Sequence, residues 1–179
     1  MSKKLVVIST SLRADSNSEA MANSFAQGAS EAGNDVQVIS LRGKNLGFCV
    51  GCLACHSAGE CVIKDDAIAI TEAVLGADVV CFATPIYYYE MSGQMKTLLD
   101  RMNSMYTKDY RFRDVYMLSC AADDEEWVPD RAVAGLTGWI DCYPKSQLKD
   151  TVFCPGVGAP GDIAGNDALE KCCYFGKNI

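Results

Sequence analysis

The chain has 179 residues, 49% of them hydrophobic, and a formal net charge of -7. A chain of this length buries about 70% of its unfolded surface and needs no covalent staples, so its ten cysteines do not form a disulfide framework. The acidic balance and the lack of a Lys/Arg block argue against a nucleic-acid backbone or an anionic membrane as the main partner. No run approaches the eighteen apolar residues of a membrane span, and no basic, apolar, small-residue signal segment precedes the first strand-like run. The expectation is one domain, residues 1–179, in the reducing cytoplasm, where free thiols and clusters survive.

Residues 5–8 form a short apolar run that reads as a first strand. A polar loop follows, then Met21, Phe25, Gly28, Ala29 and Ala32 at helical spacing, closed by Gly33. A second strand at 36–39 leads into a cysteine-rich loop at 45–64. There Cys49, Cys52, Cys55 and Cys61 fall at C-x2-C-x2-C-x5-C spacing, a compact run that suits an iron-sulfur cube and hence electron transfer. Structural zinc sites more often set two close ligand pairs apart by a longer finger. Zinc and ordinary redox-active loop thiols nevertheless stand as the alternatives. His56, inside the run, is read as a solvent-facing residue because four thiols already supply a full ligand set.

Beyond this loop Asp65 or Asp66 caps a helix carrying Ile68, Val74 and Leu75. A third strand lies at 79–83, and Met95, Leu98, Leu99 and Met102 mark the inner face of the next helix. The fourth strand spans 115–118. Pro129 opens a helix with Val133, Leu136 and Ile140 on one side, the fifth strand spans 151–154, and residues 169–173 belong to a last helix. Apolar strands alternating with helices imply a parallel sheet covered on both faces. The expected fold is therefore α/β, a three-layer sandwich of flavodoxin-like order 2-1-3-4-5, whose ligand crevice lies beyond the carboxyl ends of strands one and three.

Two segments fall at that crevice. After strand one, Ser9, Thr10, Ser11, Arg13, Ser16, Asn17 and Ser18 crowd a loop running into a helix N-terminus. Backbone N–H groups, hydroxyls and one guanidinium there suit a dianionic phosphate; an ordinary loop with Asn17 or Ser18 as N-cap is the plainer alternative. After strand three, Pro85, Ile86, Tyr87, Tyr88 and Tyr89 offer flat amphipathic surface for a ring system, or for a dimer interface. A mononucleotide spanning the two segments satisfies both. The end of strand four, Ser119, Cys120 and Ala121, faces the same edge and is a further candidate for the ring.

Thr10-Ser11-Leu12-Arg13 with Asn17-Ser18, then Thr84-Pro85-Ile86-Tyr87-Tyr88 with Ser92-Gly93-Gln94-Met95-Lys96, resembles the NADPH-dependent FMN reductase-like flavoproteins. The cysteine run followed by Val62-Ile63-Lys64-Asp65-Asp66 resembles their iron-sulfur flavoprotein branch, and the likeness extends to Pro155-Gly156-Val157-Gly158 and Gly161-Asp162-Ile163. The resemblance implies FMN at the switch point, NAD(P)H as an electron donor, a [4Fe-4S] cluster on the cysteine motif, and a homodimer or homotetramer exchanging electrons with a small-molecule or protein partner. It assigns Ser11, Arg13, Asn17 and Ser18 to the phosphate and Pro85, Ile86, Tyr87 and Tyr88 to the isoalloxazine. Leu12 stands where the family often has proline.

The expected function is thus an FMN-dependent electron-transfer oxidoreductase. No side-chain acid or nucleophile is assigned a catalytic role, since the flavin carries the chemistry. The alternatives are an NAD(P)H-dependent FMN, quinone or nitro reductase without a cluster, and a non-catalytic thiol redox sensor. Gly156-Val157-Gly158-Ala159-Pro160-Gly161 matches G-x-G-x-x-G but follows the last strand and contains proline, so it reads as a turn. The acidic run at 123–126 reads as solvated surface or as a helix-dipole partner. The remaining cysteines, Cys81, Cys120, Cys142, Cys154, Cys172 and Cys173, are expected to act as small core hydrophobes.

Overall fold

The computed structural model describes residues 2–179. Its strands are β1 (Lys4–Ser9), β2 (Asp35–Ser40), β3 (Val79–Tyr87), β4 (Glu90–Met91), β5 (Asp114–Cys120) and β6 (Gln147–Cys154). The helices are α1 (Asn17–Glu31), α2 (Ala54–Ala58), α3 (Ala67–Gly76), α4 (Gly93–Arg101), α5 (Asp130–Ile140) and α6 (Asp167–Lys177), with a 3-10 turn over Met102–Met105 after α4. Five parallel strands run β2-β1-β3-β5-β6, and the two-residue β4 pairs antiparallel with the far end of β3. With β4 set aside, this is the order 2-1-3-4-5.

Alternation along the strands divides the core between the two faces of the sheet. Leu5 and Val7 point into a layer with Met21, Phe25 and Ala29 of α1 and Cys172 of α6. Val6 and Ile8 point the other way, onto Val74 of α3, Leu98 of α4 and Leu136 of α5. The edges are less covered than the sequence pattern implies: along β2 no residue is fully buried, and Val38 is 43% exposed. Cys81, Cys120, Cys154 and Cys172 are core residues, whereas Cys142 is exposed and Cys173 only partly covered. Among the described residues no helix is long and apolar enough to cross a membrane.

Helices α1 and α6 touch backbone to backbone, which their glycines permit. A Cβ on Gly28 would stand 2.0 Å from the Cys173 carbonyl oxygen, and one on Gly176 would stand 2.1 Å from that of Phe25. Neither backbone atom can step aside without moving its helix. Gly28→Ala and Gly176→Ala are therefore each expected to lower stability by about 1–3 kcal/mol in urea unfolding. Gly138 of α5 faces open space, so Gly138→Ala should instead raise stability by about 0.5–1 kcal/mol. Equal effects at all three positions would contradict this packing.

Candidate functional site

The crevice forms where β1 and β3 lead into helices on opposite faces of the sheet. Ser16 caps α1, its Oγ accepting from the Glu19 N–H at 3.1 Å, and Asp15 makes the turn with φ 52°. A cavity of about 240 Å³ opens over this loop, lined by Ser11, Arg13, Ser16, Asn17 and Ser18. Pro85, Ile86 and Tyr87 from β3 and Cys120, Ala121 and Ala122 from the end of β5 form its other walls, and Val157 and Gly158 close it.

Side chains of the first loop stitch it to the last. Arg13 Nη1 donates to the Gly158 carbonyl at 2.7 Å. Asn17 Nδ2 donates to the Ala159 carbonyl at 2.9 Å, and Asn17 Oδ1 accepts from the Ile163 N–H at 3.3 Å. Asp162 holds the same turn from within, accepting from the N–H groups of Gly158 at 3.0 Å and Ala159 at 2.6 Å. A second tie lies behind the crevice. The buried hydroxyls of Thr10 and Thr84 meet Ser92 Oγ at 3.1 and 3.2 Å, and Ser92 caps α4 by accepting from the Met95 N–H at 3.3 Å. Both ligand-facing loops are thereby fixed to one polar cluster.

This donor set fits a phosphorylated, ring-bearing cofactor. Three hydroxyls, a helix N-terminus and one exposed guanidinium converge at one end, and apolar or aromatic groups form the other. Such an end receives a dianion through N–H and O–H donors and the helix dipole. Burial pushes the Cys120 thiol up to about 12, and the neighbouring Cys154 adds to the shift against the opposing Arg13 and Ser18. At neutral pH Cys120 is a protonated wall of the cavity and no nucleophile.

Four residues expected at this site lie outside the cavity lining. Ser9 ends β1 fully buried, its Oγ without a partner. Ser119 is 2% exposed and occupies the pleat position alternate to Cys120. Tyr88 is 96% exposed at the tip of the β3–β4 hairpin, and Tyr89 lies against Trp127, ring centroids 4.8 Å apart. In the other direction, Ala122, Val157 and Gly158 line the cavity without having been assigned to it, and Ser16, named only as part of the loop, lines it too. For Val157 and Gly158 the available signal was the glycine-rich turn itself, which is a turn as expected, with Gly156 at φ 70° and Gly161 at φ 83°, but one that borders the crevice.

The cysteine loop lies on the α3–α4 side. Cys49 and Cys52 are exposed, Cys61 is partly covered and Cys55 is buried at the start of α2. All four line one cavity of about 20 Å³ together with Val50, Leu53, Ile63 and Arg101. Burial raises the Cys55 thiol above its ordinary value, and the charges of Cys61, Cys49 and Cys52 push the same way. Asn103 Nδ2 stands 3.8 Å from the Cys55 sulfur. His56 is exposed and stacks on Tyr106 with centroids 6.0 Å apart. Among the described residues no group of three or more His, Cys, Asp or Glu side chains is gathered closely enough to hold a metal ion.

Taken together, fold and crevice describe a doubly wound α/β protein with a donor-rich cavity at its switch point. Residues 3–129 match the family described as NADPH-dependent FMN reductase. An iron-sulfur flavoprotein of Archaeoglobus fulgidus is 34% identical over 98% of this chain and 78% of its own length. One of Methanosarcina thermophila is 29% identical over 95% of this chain and 93% of its own. Two solved structures share the fold: an NAD(P)H:quinone oxidoreductase from Methanothermobacter marburgensis, with TM-score 0.73, 18% identity and 99% of both chains covered, and an azoreductase from Bacillus anthracis, with TM-score 0.74, 16% identity and 100% of both chains covered. The chain belongs to the NADPH-dependent FMN reductase family and is an FMN-dependent oxidoreductase.

Asn17 joins the first and last loops through both atoms of its amide. Asn17→Ala strands the buried Ile163 N–H and is expected to cost about 1–3 kcal/mol of stability in the flavin-free protein. FMN affinity, followed by fluorescence quenching, should fall with it. Wild-type values for both would show that the tie holds nothing in place.

Proposed function

We propose that the FMN phosphate rests on the β1–α1 loop at Ser11, Arg13, Asn17 and Ser18, that Pro85, Ile86, Tyr87, Cys120 and Ala121 border the isoalloxazine, and that Cys49, Cys52, Cys55 and Cys61 carry a [4Fe-4S] cluster. The protein would then take electrons in pairs from a donor such as NAD(P)H and release them singly to a small-molecule or protein acceptor. The observation that supports this reading is the C-x2-C-x2-C-x5-C run whose four thiols border one small cavity in a chain with a separate crevice beyond the carboxyl ends of β1 and β3. When bound, FMN supplies the two-electron to one-electron conversion and the cluster a one-electron carrier.

The protein's own part is to hold and to shield. Val50, Leu53 and Ile63 stand beside the thiols as apolar neighbours, although Val50 and Leu53 are themselves exposed. A separate hollow of about 340 Å³ is lined by Leu12, Leu41, Leu46, Phe48, Gln94 and Thr97. Anaerobically prepared protein is expected to contain FMN together with iron and acid-labile sulfide in equal amounts. Cys52→Ala should lose iron and sulfide, keep FMN, and slow flavin reoxidation by a one-electron acceptor in stopped flow. FMN without either element in the wild type would leave the cluster-free FMN, quinone or nitro reductase. Arg13 is exposed to solvent, so Arg13→Ala should weaken FMN binding by only about tenfold.

We further propose a homodimer formed around the β3–β4 hairpin. Its two-residue turn places Tyr88 at φ 51° and Tyr89 at φ 64°, a conformation that costs about 1–2 kcal/mol for each residue with a Cβ. Such strain is retained where the side chain is needed, and Tyr88 stands almost wholly in solvent beside no partner within its own chain. Tyr88→Gly should raise the stability of the isolated subunit by about 1 kcal/mol while shifting sedimentation equilibrium toward monomer. An unchanged association state would move the interface elsewhere.

A further inference from the structure

Arg101, the last residue of α4, is 2% exposed and carries its charge inside the protein. Its guanidinium gathers the two ends of the cysteine motif. Nη1 donates to the Gly47 carbonyl at 2.7 Å and Nη2 to the Ile63 carbonyl at 3.0 Å. These residues stand two positions before Cys49 and two after Cys61. Asp65 completes the arrangement, accepting from Nη1 at 2.5 Å and Nη2 at 2.8 Å, while its Oδ2 also accepts from the Gly47 N–H at 2.8 Å. Burial opposes the charged Asp65, yet hydrogen bonds from Arg101, Gly47 and Ala67 outweigh it and hold the carboxyl below its ordinary value.

One donor remains unused. Arg101 Nε is buried with no hydrogen-bond partner, an arrangement that folded proteins rarely leave without a purpose. Arg101 lines the cavity that holds all four cysteines and shares a second cavity with Cys61. Asp65 chiefly, and Cys61 in the same direction, raise the guanidinium further above its ordinary value against its burial, and Cys61 borders both of the cavities that Arg101 lines. An N–H directed at a ligating sulfur, on a group that always carries positive charge, stabilises the more negative state of an iron-sulfur centre.

We propose that Arg101 is the positioning residue of the cysteine motif, clasping residues 47 and 63 together in the metal-free chain and presenting its free Nε–H to the Cys61 sulfur. The second half of this inference rests on the cluster reading; the first does not. A clasped loop has already met part of its closure entropy, so the two ends of the motif are held together before iron arrives. One-electron reduction adds one negative charge to the centre, and Arg101 is a buried cation lining the same cavity as the four thiols.

Two variants test this without leaving a lone buried carboxylate: Arg101→Lys, and Arg101→Met combined with Asp65→Asn. In metal-free protein, amide exchange across residues 47–63 should quicken at least about tenfold in both, with β1 and α1 unchanged. After anaerobic reconstitution and titration with a low-potential chemical reductant, the double variant should show a tenfold shift toward the oxidised centre, about 59 mV more negative for one electron, and Arg101→Lys should fall between it and the wild type. Wild-type exchange across 47–63 overturns the clasp, and a wild-type potential in a cluster-bearing double variant overturns the role of Nε. Wild-type protein without iron or sulfide would defeat the cluster reading instead, and the exchange measurement would still decide the clasp.

Discussion

Everything at the functional edge depends on the chain leaving β1 and β3 in opposite directions. From β1 it turns into α1, which packs with Leu5 and Val7 on one face. From β3 it turns into α4, which packs with Val6 and Ile8 on the other. No helix can then cover the carboxyl ends between these strands, and a crevice is unavoidable. What the side chains add is rigidity. The Thr10, Thr84 and Ser92 hydroxyls join β1, β3 and the cap of α4 in one buried cluster, and a satisfied buried polar cluster resists small displacements because each broken bond strands a desolvated group.

The sheet and its order were legible because a parallel strand covered on both faces reads as an apolar run, and five such runs alternate here with helical periodicity. The elements that escaped are the ones too short to show a period. Helix α2 has five residues and β4 has two. The β3–β4 turn is hidden for a different reason. Hairpin turns with two left-handed residues usually announce themselves with Asn or Gly, and here Tyr88-Tyr89 takes that role, so a segment that reads as continuous aromatic surface is in fact a strained reversal.

The candidate site was legible in its loops and less so in its individual side chains. Density of hydroxyls located the β1–α1 loop, but which hydroxyl faces the crevice is set by backbone geometry. Ser16 caps the helix and lines the cavity, while Ser9 turns inward. Pleating similarly separates Ser119 from Cys120. Arg101 was invisible for a further reason. At the end of an amphipathic helix a basic residue is ordinarily a solvated partner of the helix dipole, and Asp65 is ordinarily a helix cap. Asp65 stands one residue before the Asp66 N-cap of α3 and accepts from the Ala67 N–H at 3.1 Å, yet only the tertiary fold shows that the same carboxylate meets a buried guanidinium.

That pairing bears on how the cysteine loop keeps its shape without a metal. Where a metal supplies the folding energy, the ligand-bearing segment is unfolded without it. Here the motif lies between two carbonyls held by Arg101 and beside Asn45, whose N–H reaches Asp66 Oδ2 at 2.7 Å. The loop is tied to α3 and α4, both of which are anchored by the hydrophobic layer on that face. Its order is therefore inherited from the sheet. The crevice draws its own rigidity from the Thr10, Thr84 and Ser92 cluster and from Asn17, none of which belongs to the cysteine loop. The two segments are thus braced separately, so a change in the cysteine loop can leave the crevice in its shape.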